Sequence, residues 1–477
     1  MTQQIKKLNV DVCVIGAGPG GLSVAAGASQ LGADTVLIEK NKMGGDCLNG
    51  GCVPSKALLA AGHAAQAVRL AKRFGIKASF DKVKSAEVFA HVRRTVAAIE
   101  PMDSVERFEG LGVRVLQAEG YFVGPRQVQA DGVRICARRY VIATGARAFI
   151  PSLPGIETID YLTNETVFQQ NTLPDKLIVI GGGPAGVELA QAHRHLGCQV
   201  ELLEKNTIIS DHDPELVDIV RRSLINDGIK IHENLQIEQI FKTDKTINVI
   251  AKKDNLPISI LGNSLLVAVG RRPNVEGIGL SQAGIKYSER GINVDARLRT
   301  SNKKVFAIGD VAGSYQLSHI AGYHAGVVIK NILFHIPAQV DYRAVPSVIF
   351  SSPELAQVGM SEVGAKQSGQ KINVLRWPFS ENDRAQAEGV SDGLVKVIVK
   401  PNGRILGAAI VGPHAGELIH TWVLAISQRL KVGAVAQMIA PYPTLGEVSK
   451  RAAGSFFSPL LFSERTRKIV RLLGRFG

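Results

Sequence analysis

Cysteine is scarce in this sequence, and its scarcity narrows the possible classes of protein. The 477 residues contain five cysteines, at positions 13, 47, 52, 136 and 198. So few cysteines exclude a disulfide-stabilised scaffold, and in a reducing compartment a close pair is more often catalytic or metal-binding than structural. No apolar run approaches the roughly 18 residues that a membrane span needs. The first residues show no pattern of a secretory signal, so we expect a cytoplasmic protein.

Aromatic residues are also few, at 5% of the chain, so few side chains are available to stack on nucleic acid bases beside the basic residues. The sequence has 56 Lys and Arg against 42 Asp and Glu, which gives a net charge of +14. Basic residues are spread along most of the chain and no base-stacking motif accompanies them, so we expect no nucleic acid partner. The charge favours solubility and anionic ligands such as phosphates.

A glycine-rich pattern near the start of the chain is typical of a nucleotide-binding βαβ unit. In VDVCVIGAGPGGLSVAAGASQLGADTVLIEK (10–40), an apolar strand leads into Gly16-x-Gly18-x-x-Gly21. Gly16 permits the tight turn, Gly18 lets a pyrophosphate approach the backbone, and Gly21 lets the following helix pack on the strand. The second strand ends at Glu39, whose carboxylate can accept hydrogen bonds from a ribose. This segment predicts one bound dinucleotide.

The same pattern recurs in residues 176–205. Gly181, Gly183 and Gly186 occupy the three glycine positions, and Glu204 ends the second strand. Two such units predict two dinucleotides. The carboxylate of Glu204 favours the free 2′-hydroxyl of NAD(H), whereas the neighbouring Lys205 leaves NADP(H) open.

Two further strand ends fit a flavin-type nucleotide domain. RRYVIATGARAFIP (138–151) reads as a strand that ends in the turn Thr144-Gly145. KKVFAIGDVAG (303–313) reads as a strand that ends in Gly309-Asp310. An aspartate at this position suits a hydrogen bond to a ribityl hydroxyl, although the residue can also cap the next helix.

GGDCLNGGCVPSK (44–56) places Cys47 and Cys52 five positions apart in a glycine-rich bend. The pair can be a redox couple, half of a zinc site, a structural disulfide or two unrelated thiols. Gly50-Gly51 and Pro54 indicate that the helix is interrupted here, which favours an accessible and reducible bridge. A zinc site would need further ligands, and His63 stands alone nearby, so we expect no metal.

Taken in order along the chain, these motifs resemble the class I pyridine nucleotide–disulfide oxidoreductases, over roughly residues 8–460. The family implies an α/β fold with two Rossmann-like domains, for FAD and NAD(H), plus an α+β dimerisation domain. It also implies a homodimer. We therefore predict an FAD-binding segment at 1–148, an NAD(H)-binding domain at 149–269, an FAD-domain return at 270–340, a dimerisation domain at 341–462 and a tail at 463–477.

The resemblance also assigns roles. Cys52 would lie against the flavin and Cys47 would meet the substrate, with Lys56 near the flavin and Glu188 as its partner. Electrons would pass between NAD(H), FAD, the Cys47–Cys52 disulfide and a small disulfide, dithiol or lipoyl-carrying substrate. Additional cofactor contacts would come from Lys40, Gly45, Thr144, Gly145, Gly309 and Asp310 for FAD, and from Gly270 for NAD.

The sequence departs from these relatives near its C-terminus. Dihydrolipoyl dehydrogenases carry His-Pro-x-x-x-Glu, in which the histidine is an acid/base; here Tyr442 replaces it, while Glu447 keeps its place. Mercuric reductases also have tyrosine there, but they add a cysteine pair that this tail lacks. A mercuric reductase-like metal or quinone reductase is therefore the alternative enzyme. Gly50 replaces a usual valine and is expected to loosen the redox turn.

Residues 463–477, SERTRKIVRLLGRFG, form a third departure. Ser463 can cap a helix with one apolar side and one basic side, a pattern that is typical of membrane-surface helices and of helices that bind acidic partners. A terminal helix packed on the dimer is the simpler interpretation. The non-enzymatic alternative for the whole chain is a redox-sensing module docked to a membrane or a partner.

Overall fold

The computed structural model describes residues 6–79, 82–313 and 315–476. Its first segment, up to residue 148, builds a sheet with helices around it. The strands are β1 (Lys6–Ile15), β2 (Thr35–Glu39), β3 (Val113–Gln117), β4 (Tyr121–Gly124), β5 (Gln127–Ala130), β6 (Val133–Ile142) and β7 (Ala146–Ala148). The helices are α1 (Pro19–Gln30), α2 (Gly45–Asn49), α3 (Cys52–Leu70), α4 (Ser85–Ile99) and α5 (Val105–Gly110).

Residues 149–269 contain a parallel four-stranded sheet and an antiparallel three-stranded sheet. The strands are β8 (Lys176–Ile180), β9 (Gln199–Leu203), β10 (Lys230–His232), β11 (Leu235–Thr243), β12 (Thr246–Lys253), β13 (Leu256–Gly262) and β14 (Ser264–Val267). The helices are α6 (Pro184–His195) and α7 (Pro214–Asn226). The order β10-β9-β8-β14 is parallel throughout, whereas β11-β12-β13 is antiparallel.

The chain then returns to the first sheet. This segment contains β15 (Arg271–Pro273), β16 (Tyr287–Ser288), β17 (Gly291–Ile292), β18 (Val305–Ala307) and α8 (Ser318–Ile332). The first sheet has the order β3-β2-β1-β6-β5-β4, and β18 pairs in parallel with the end of β6. β15 pairs with β7, so the returning chain lies beside the end of the first segment.

The C-terminal segment is an antiparallel sheet with helices. Its strands are β19 (Pro346–Ile349), β20 (Glu354–Gly359), β21 (Asn373–Pro378), β22 (Leu394–Val399) and β23 (Ile405–Gly412), in the order β19-β20-β23-β22-β21. Its helices are α9 (Glu362–Gln367), α10 (Asp383–Glu388), α11 (Ala415–Leu418), α12 (His420–Ser427), α13 (Val432–Ala436), α14 (Glu447–Ser455), α15 (Ser458–Leu461) and α16 (Glu464–Leu473).

Two helix contacts place the site, and both depend on small residues. At Gly20 of α1, an added Cβ would lie 3.2 Å from Ala321 Cβ of α8, so these helices pack closely. At Gly62 of α3, an added Cβ would lie 3.2 Å from the Ala192 carbonyl oxygen of α6. The second contact joins the helix that begins at Cys52 to the helix of the second glycine-rich turn.

The predicted fold class is confirmed, since a mixed sheet with a parallel centre and a second, parallel sheet precede an antiparallel sheet with helices. The domain boundaries stay predictions. Across residues 6–79, 82–313 and 315–476, no helix combines the length and the apolar character that a bilayer crossing requires.

Candidate active site

The first glycine-rich turn, residues 16–21, is shaped by close backbone contacts. Gly16 has φ +104°, and an added Cβ there would lie 2.4 Å from the Ala143 carbonyl oxygen. At Gly21 the added Cβ would lie 1.8 Å from the Gly16 carbonyl oxygen, whereas at Gly18 it would meet no atom within 4 Å. Two glycines are therefore needed for the turn itself, and the third faces open space that a phosphate group fits.

The second glycine-rich turn, residues 181–186, repeats this geometry. Gly181 has φ +109°, and its added Cβ would lie 2.4 Å from the Ala268 carbonyl oxygen. The added Cβ at Gly186 would lie 1.8 Å from the Gly181 carbonyl oxygen, and Gly183 again faces open space. Gly270 has φ +129° and is also open to a ligand.

The acidic residue of each unit is bound to its own turn. Glu39 Oε2 accepts a 2.6 Å hydrogen bond from the Ala17 amide, and Glu204 Oε2 accepts a 2.7 Å bond from the Gly182 amide. Each carboxylate therefore lies at the edge of the open space beside its turn, where a ribose can reach it.

A large cavity of about 960 Å³ begins at the first glycine-rich turn and ends at the two cysteines. Its volume is at the upper end of ordinary ligand sites, as an extended dinucleotide requires. The predicted FAD contacts that line it are Gly16, Gly18, Glu39, Lys40, Gly45, Thr144, Gly145, Gly309 and Asp310. The residues present therefore fit a flavin dinucleotide.

Two of these lining turns are fixed by residues that the sequence did not single out. Thr144 Oγ1 donates to the Asn274 carbonyl oxygen at 2.9 Å, and the Asn274 amide donates to the Gly145 carbonyl oxygen. The Gly309 amide donates to Nδ1 of the fully buried His324 at 3.1 Å, and His324 Nε2 lies 2.8 Å from the Tyr342 hydroxyl. Burial lowers the pKa of His324 to about 4, so the imidazole is neutral and available as an acceptor.

The two cysteines lie on either side of a helix break. Cys47 is in the short α2, Cys52 is the first residue of α3, and Gly50-Gly51 separates the two helices. Both residues are free thiols in this structure, and each is the largest influence on the pKa of the other. The interruption of the helix at the glycines agrees with the sequence prediction.

The electrostatic surroundings make the two thiols unequal. The interaction with Cys47 is the main cause that lowers the pKa of Cys52, with further contributions from Ser318 and Lys56. Ser318 Oγ lies 3.2 Å from Cys52 Sγ. The same pairing with Cys52, followed by burial, raises the pKa of Cys47.

Helix geometry explains why Cys52 holds the negative charge. Cys52 begins α3 and Ser318 begins α8, so the N-termini of two long helices meet at one sulfur. Helix N-termini stabilise anions and favour the thiolate of a nearby cysteine. Ser318 was missed in the sequence because it comes from a segment 266 residues away.

Lys56 and Glu188 lie together as the family resemblance implies. Lys56 Nζ is 2.9 Å from Glu188 Oε2 and 4.2 Å from the centre of the Phe350 ring. Glu188 Oε1 accepts a 3.0 Å hydrogen bond from the Phe350 amide. Glu188 is buried, so the pair holds α3, α6 and the end of β19 together beside the thiols.

Gly50 packs closely against residues 164–165. Its added Cβ would lie 3.3 Å from Glu165 Cα, and Asn164 Nδ2 donates to the Gly50 carbonyl oxygen at 3.3 Å. The expectation that Gly50 loosens the redox turn therefore has to be revised, because this glycine lets residues 164–165 pack against that turn.

A charge cluster that the sequence did not indicate lies next to Cys47. Arg271 Nη2 is 2.9 Å from Asp46 Oδ2, and Arg271 Nη1 is 3.3 Å from Asp310 Oδ2. Burial raises the pKa of both aspartates and the charge of Arg271 opposes that change. Arg271 thus links the turn of the redox pair to the Gly309-Asp310 turn.

A small cavity of about 420 Å³ adjoins the large one. Cys47 lines both cavities, whereas Cys52 lines only the large one. The small cavity is mainly apolar, with Leu22, Val53 and Phe108 in its wall, and Arg107 and Asp103 supply its charged groups. Cys47 therefore borders a second cavity that Cys52 does not border, although Cys52 is the more exposed of the two thiols.

Tyr442 and Glu447 are not part of this arrangement within one protomer, since neither lines either cavity. Tyr442 is 70% exposed, and its hydroxyl donates a 2.9 Å hydrogen bond to Asp383 Oδ2. That hydrogen bond and the charges of Asp383 and Glu447 raise the pKa of Tyr442. Tyr442 is thus a hydrogen-bond donor and a very weak base.

Comparisons with known proteins agree with the motif order and the geometry. A family model described as pyridine nucleotide-disulphide oxidoreductase matches residues 10–325, and one for that family's dimerisation domain matches residues 345–453. The dimerisation domain indicates a homodimer.

Two relatives and one solved structure that align over most of their length agree with this family. Dihydrolipoyl dehydrogenase of Geobacillus stearothermophilus is 35% identical, covering 94% of this chain and 96% of the relative. Mercuric reductase of Lysinibacillus sphaericus is 31% identical, covering 95% and 83%. The structure of the HOCl-induced flavoprotein disulfide reductase RclA from Escherichia coli superposes with a TM-score of 0.83, at 25% identity, over 93% of this chain and 99% of that one. The chain therefore belongs to the pyridine nucleotide–disulfide oxidoreductases, which are FAD-dependent enzymes.

Proposed function

We propose that this enzyme moves electrons between NAD(H) and a small disulfide, dithiol or lipoyl substrate through Cys47 and Cys52. The observation that carries the proposal is the division of the two sulfurs between the cavities. Cys52 lines only the large cavity, which fits FAD, whereas Cys47 also lines the small cavity. We therefore assign Cys52 as the thiol on the cofactor side and Cys47 as the thiol that exchanges with substrate.

The two glycine-rich turns hold the two cofactors in this proposal. The first turn, with Glu39, Thr144 and Asp310, would bind FAD, which when bound supplies two-electron exchange between the pyridine nucleotide and the thiol pair. The second turn would bind NAD(H), with Glu204 accepting hydrogen bonds from the ribose. The carboxylate of Glu204 supports NAD(H) over NADP(H), because it would repel a 2′-phosphate.

The coupling between the two thiols supports a proton path for the exchange with substrate. The sulfur of Cys47 attacks one sulfur of a substrate disulfide, and its proton passes to the Cys52 thiolate. The proton then leaves with the departing substrate thiolate, and the sulfur of Cys52 attacks Cys47. A Cys47–Cys52 disulfide forms and the second substrate thiolate is released. Lys56, held by Glu188, favours the thiolate form of Cys52.

A second candidate substrate is a thiophilic metal ion, as the similarity to mercuric reductases suggests. The observation in its favour is Tyr442, whose raised pKa makes it unsuited to remove a proton from Cys47. A metal ion binds thiolates directly and needs less help from a general base. This candidate uses the same two cysteines, so only a comparison of substrates separates it from the first.

The distinguishing experiment is steady-state NADH oxidation with lipoamide, glutathione disulfide, Hg(II) and quinones as acceptors. We expect turnover with a disulfide, and loss of that turnover in Cys47→Ser and in Cys52→Ser. Turnover with Hg(II) alone would select the metal candidate. Turnover with quinones that is unaffected by either substitution would contradict the thiol proposal.

We also propose that the enzyme acts in the cytoplasm. All five cysteines are unpaired, and an enzyme whose redox pair cycles through the thiol form suits a reducing compartment.

A further inference from the structure

Residues 458–476, which join α15 to the predicted tail and are called the C-terminal tail from here on, carry a surface that the proposed catalytic function does not use. The tail contains α15 and α16, and no residue of α16 is buried. Within one protomer, large apolar side chains are exposed along its length, including Phe462 at 70%, Val470 at 62% and Phe476 at 82% exposure. Contiguous exposed apolar surface of this kind indicates an interaction site.

The helix is held in place by its own cap. Ser463 Oγ accepts a hydrogen bond from the Thr466 amide at 3.2 Å, which is the N-cap that the sequence predicted. Thr466 Oγ1 donates to the Leu460 carbonyl oxygen at 2.8 Å, which fixes the angle between α15 and α16. The helix is therefore folded without a binding partner, and its apolar side is exposed in the protomer.

The two sides of the helix differ sharply in chemistry. At about 100° per residue, the apolar side chains fall within an arc of roughly 160°. Within α16 these residues are Ile469, Val470, Leu472 and Leu473, and Phe476 follows the end of the helix. Arg467, Lys468 and Arg471 share the opposite side, Arg465 lies within the apolar arc, and Arg475 follows the end of the helix.

The basic side chains are available for an external anion. Within the described residues of the protomer, Arg465, Arg467, Lys468, Arg471 and Arg475 form no salt bridge. The acidic residue of the tail is Glu464, in the first turn of α16. An apolar strip flanked by unpaired cations is complementary to lipid headgroups that carry negative charge over an apolar layer.

We propose that the C-terminal tail is a peripheral membrane anchor that lies flat in the headgroup region of an anionic bilayer. A second copy of the tail is a poorer occupant, because the two basic sides repel each other. The dimer carries two tails, so two weak contacts act together on one membrane. The enzyme is therefore held at the membrane surface while its thiol site stays in the aqueous phase.

The test is vesicle flotation of the full-length, flavin-loaded protein. Vesicles of phosphatidylcholine alone are compared with vesicles that also contain phosphatidylglycerol. We expect binding only to the anionic vesicles, with release by added salt. Binding that is equal on both vesicle types, or that salt leaves unchanged, would overturn the proposal.

Two double variants and a matched control assign the binding to the tail. Ile469→Gln with Leu473→Gln removes apolar surface, and Arg467→Gln with Arg471→Gln removes two charges. Each double variant is expected to weaken vesicle binding about tenfold or more. Lys242→Gln with Lys245→Gln removes the same charge from exposed positions in another domain, and we expect vesicle binding to stay unchanged.

Two further measurements test whether the tail binds a second copy of the chain instead and whether it affects catalysis. If the wild type ignores vesicles and the apolar variant changes the dimer in analytical ultracentrifugation, the tail binds a second copy and the proposal is wrong. Reduction of the bound flavin by NADH should be the same in every tail variant. A failure of vesicle binding with normal flavin reduction therefore overturns this proposal alone.

Discussion

At the scale of single residues, Cys52 is set apart from Cys47 by its hydrogen bonds. Its sulfur lies 3.2 Å from Ser318 Oγ, its pKa is coupled to that of Cys47, and the residue begins α3. These contacts lower the pKa of Cys52 and favour its thiolate form. The asymmetry agrees with the roles that the family resemblance implies, and it comes from residues outside the cysteine motif.

Removing the Ser318 hydroxyl should raise the pKa of Cys52. A hydrogen bond worth about 1 kcal/mol corresponds to roughly 0.7 of a pKa unit, so Ser318→Ala should move the titration upward by that order. The measurement is the rate of iodoacetamide alkylation against pH in a Cys47→Ser background. A pH profile that is identical with and without the hydroxyl would contradict the role of Ser318.

His324 should make stability depend on pH. Because burial lowers its folded-state pKa from 6.5 to about 4, the unfolded chain takes up the proton first as the pH falls. The contribution of the neutral His324 to the free energy of unfolding is therefore fully present above pH 6.5. It is lost between pH 6.5 and pH 4, and the loss amounts to at most about 3 kcal/mol.

The measurement is the urea midpoint of wild type and of His324→Gln across that pH range. The variant should lose less stability on acidification than the wild type. Parallel pH dependence in the two proteins would show that this imidazole does not titrate as the structure indicates.

At the scale of elements, the sequence predicted those parts that local patterns encode. Both βαβ units follow from their glycines. The break between α2 and α3 follows from Gly50-Gly51. Ser318, Arg271 and His324 could not be found this way, because each meets the site from a distant segment and has no local motif.

The contact between α3 and α6 is an element-scale feature that a single substitution can test. An added Cβ at Gly62 would lie 3.2 Å from a backbone carbonyl of α6. Gly62→Val should lower the free energy of unfolding by about 1–3 kcal/mol through overpacking. Gly110→Val is the matched control, because nothing lies within 4 Å of that position, and it should change stability by less than about 0.5 kcal/mol.

Denaturant unfolding followed by circular dichroism measures this difference. Equal effects of the two substitutions would mean that the helices can separate freely at Gly62. Because α3 carries Lys56 and α6 carries Glu188, a destabilised contact should also disturb the pair beside the thiols.

At the scale of the whole molecule, a buried charge cluster joins the second nucleotide-binding domain to the C-terminal sheet. Lys396 of β22 has a side chain that is 4% exposed, and its Nζ lies 2.7 Å from Asp213, 2.9 Å from Glu215 and 2.7 Å from Glu362. The contacts with Lys366 and Lys396 lower the pKa of Glu362 to about 2, so this carboxylate stays charged through the physiological range.

Breaking this cluster should loosen the junction between the domains. Lys396→Met leaves the buried carboxylate of Asp213 without its cation, which typically costs about 3–5 kcal/mol. Lys366→Met removes an exposed lysine that also contacts Glu362, and the cost should stay below about 1 kcal/mol. Thermal unfolding of both variants tests the difference, and a small effect for Lys396→Met would show that the cluster does not hold the domains.

The central claim is that Cys52 is the thiolate on the cofactor side of the redox pair, and anaerobic titration of the flavin-loaded dimer with NADH tests it most directly. We predict a long-wavelength charge-transfer absorbance in the wild type and in Cys47→Ser, and its loss in Cys52→Ser. Absence of the band in intact, flavin-loaded wild type, or its persistence in Cys52→Ser, would contradict the account.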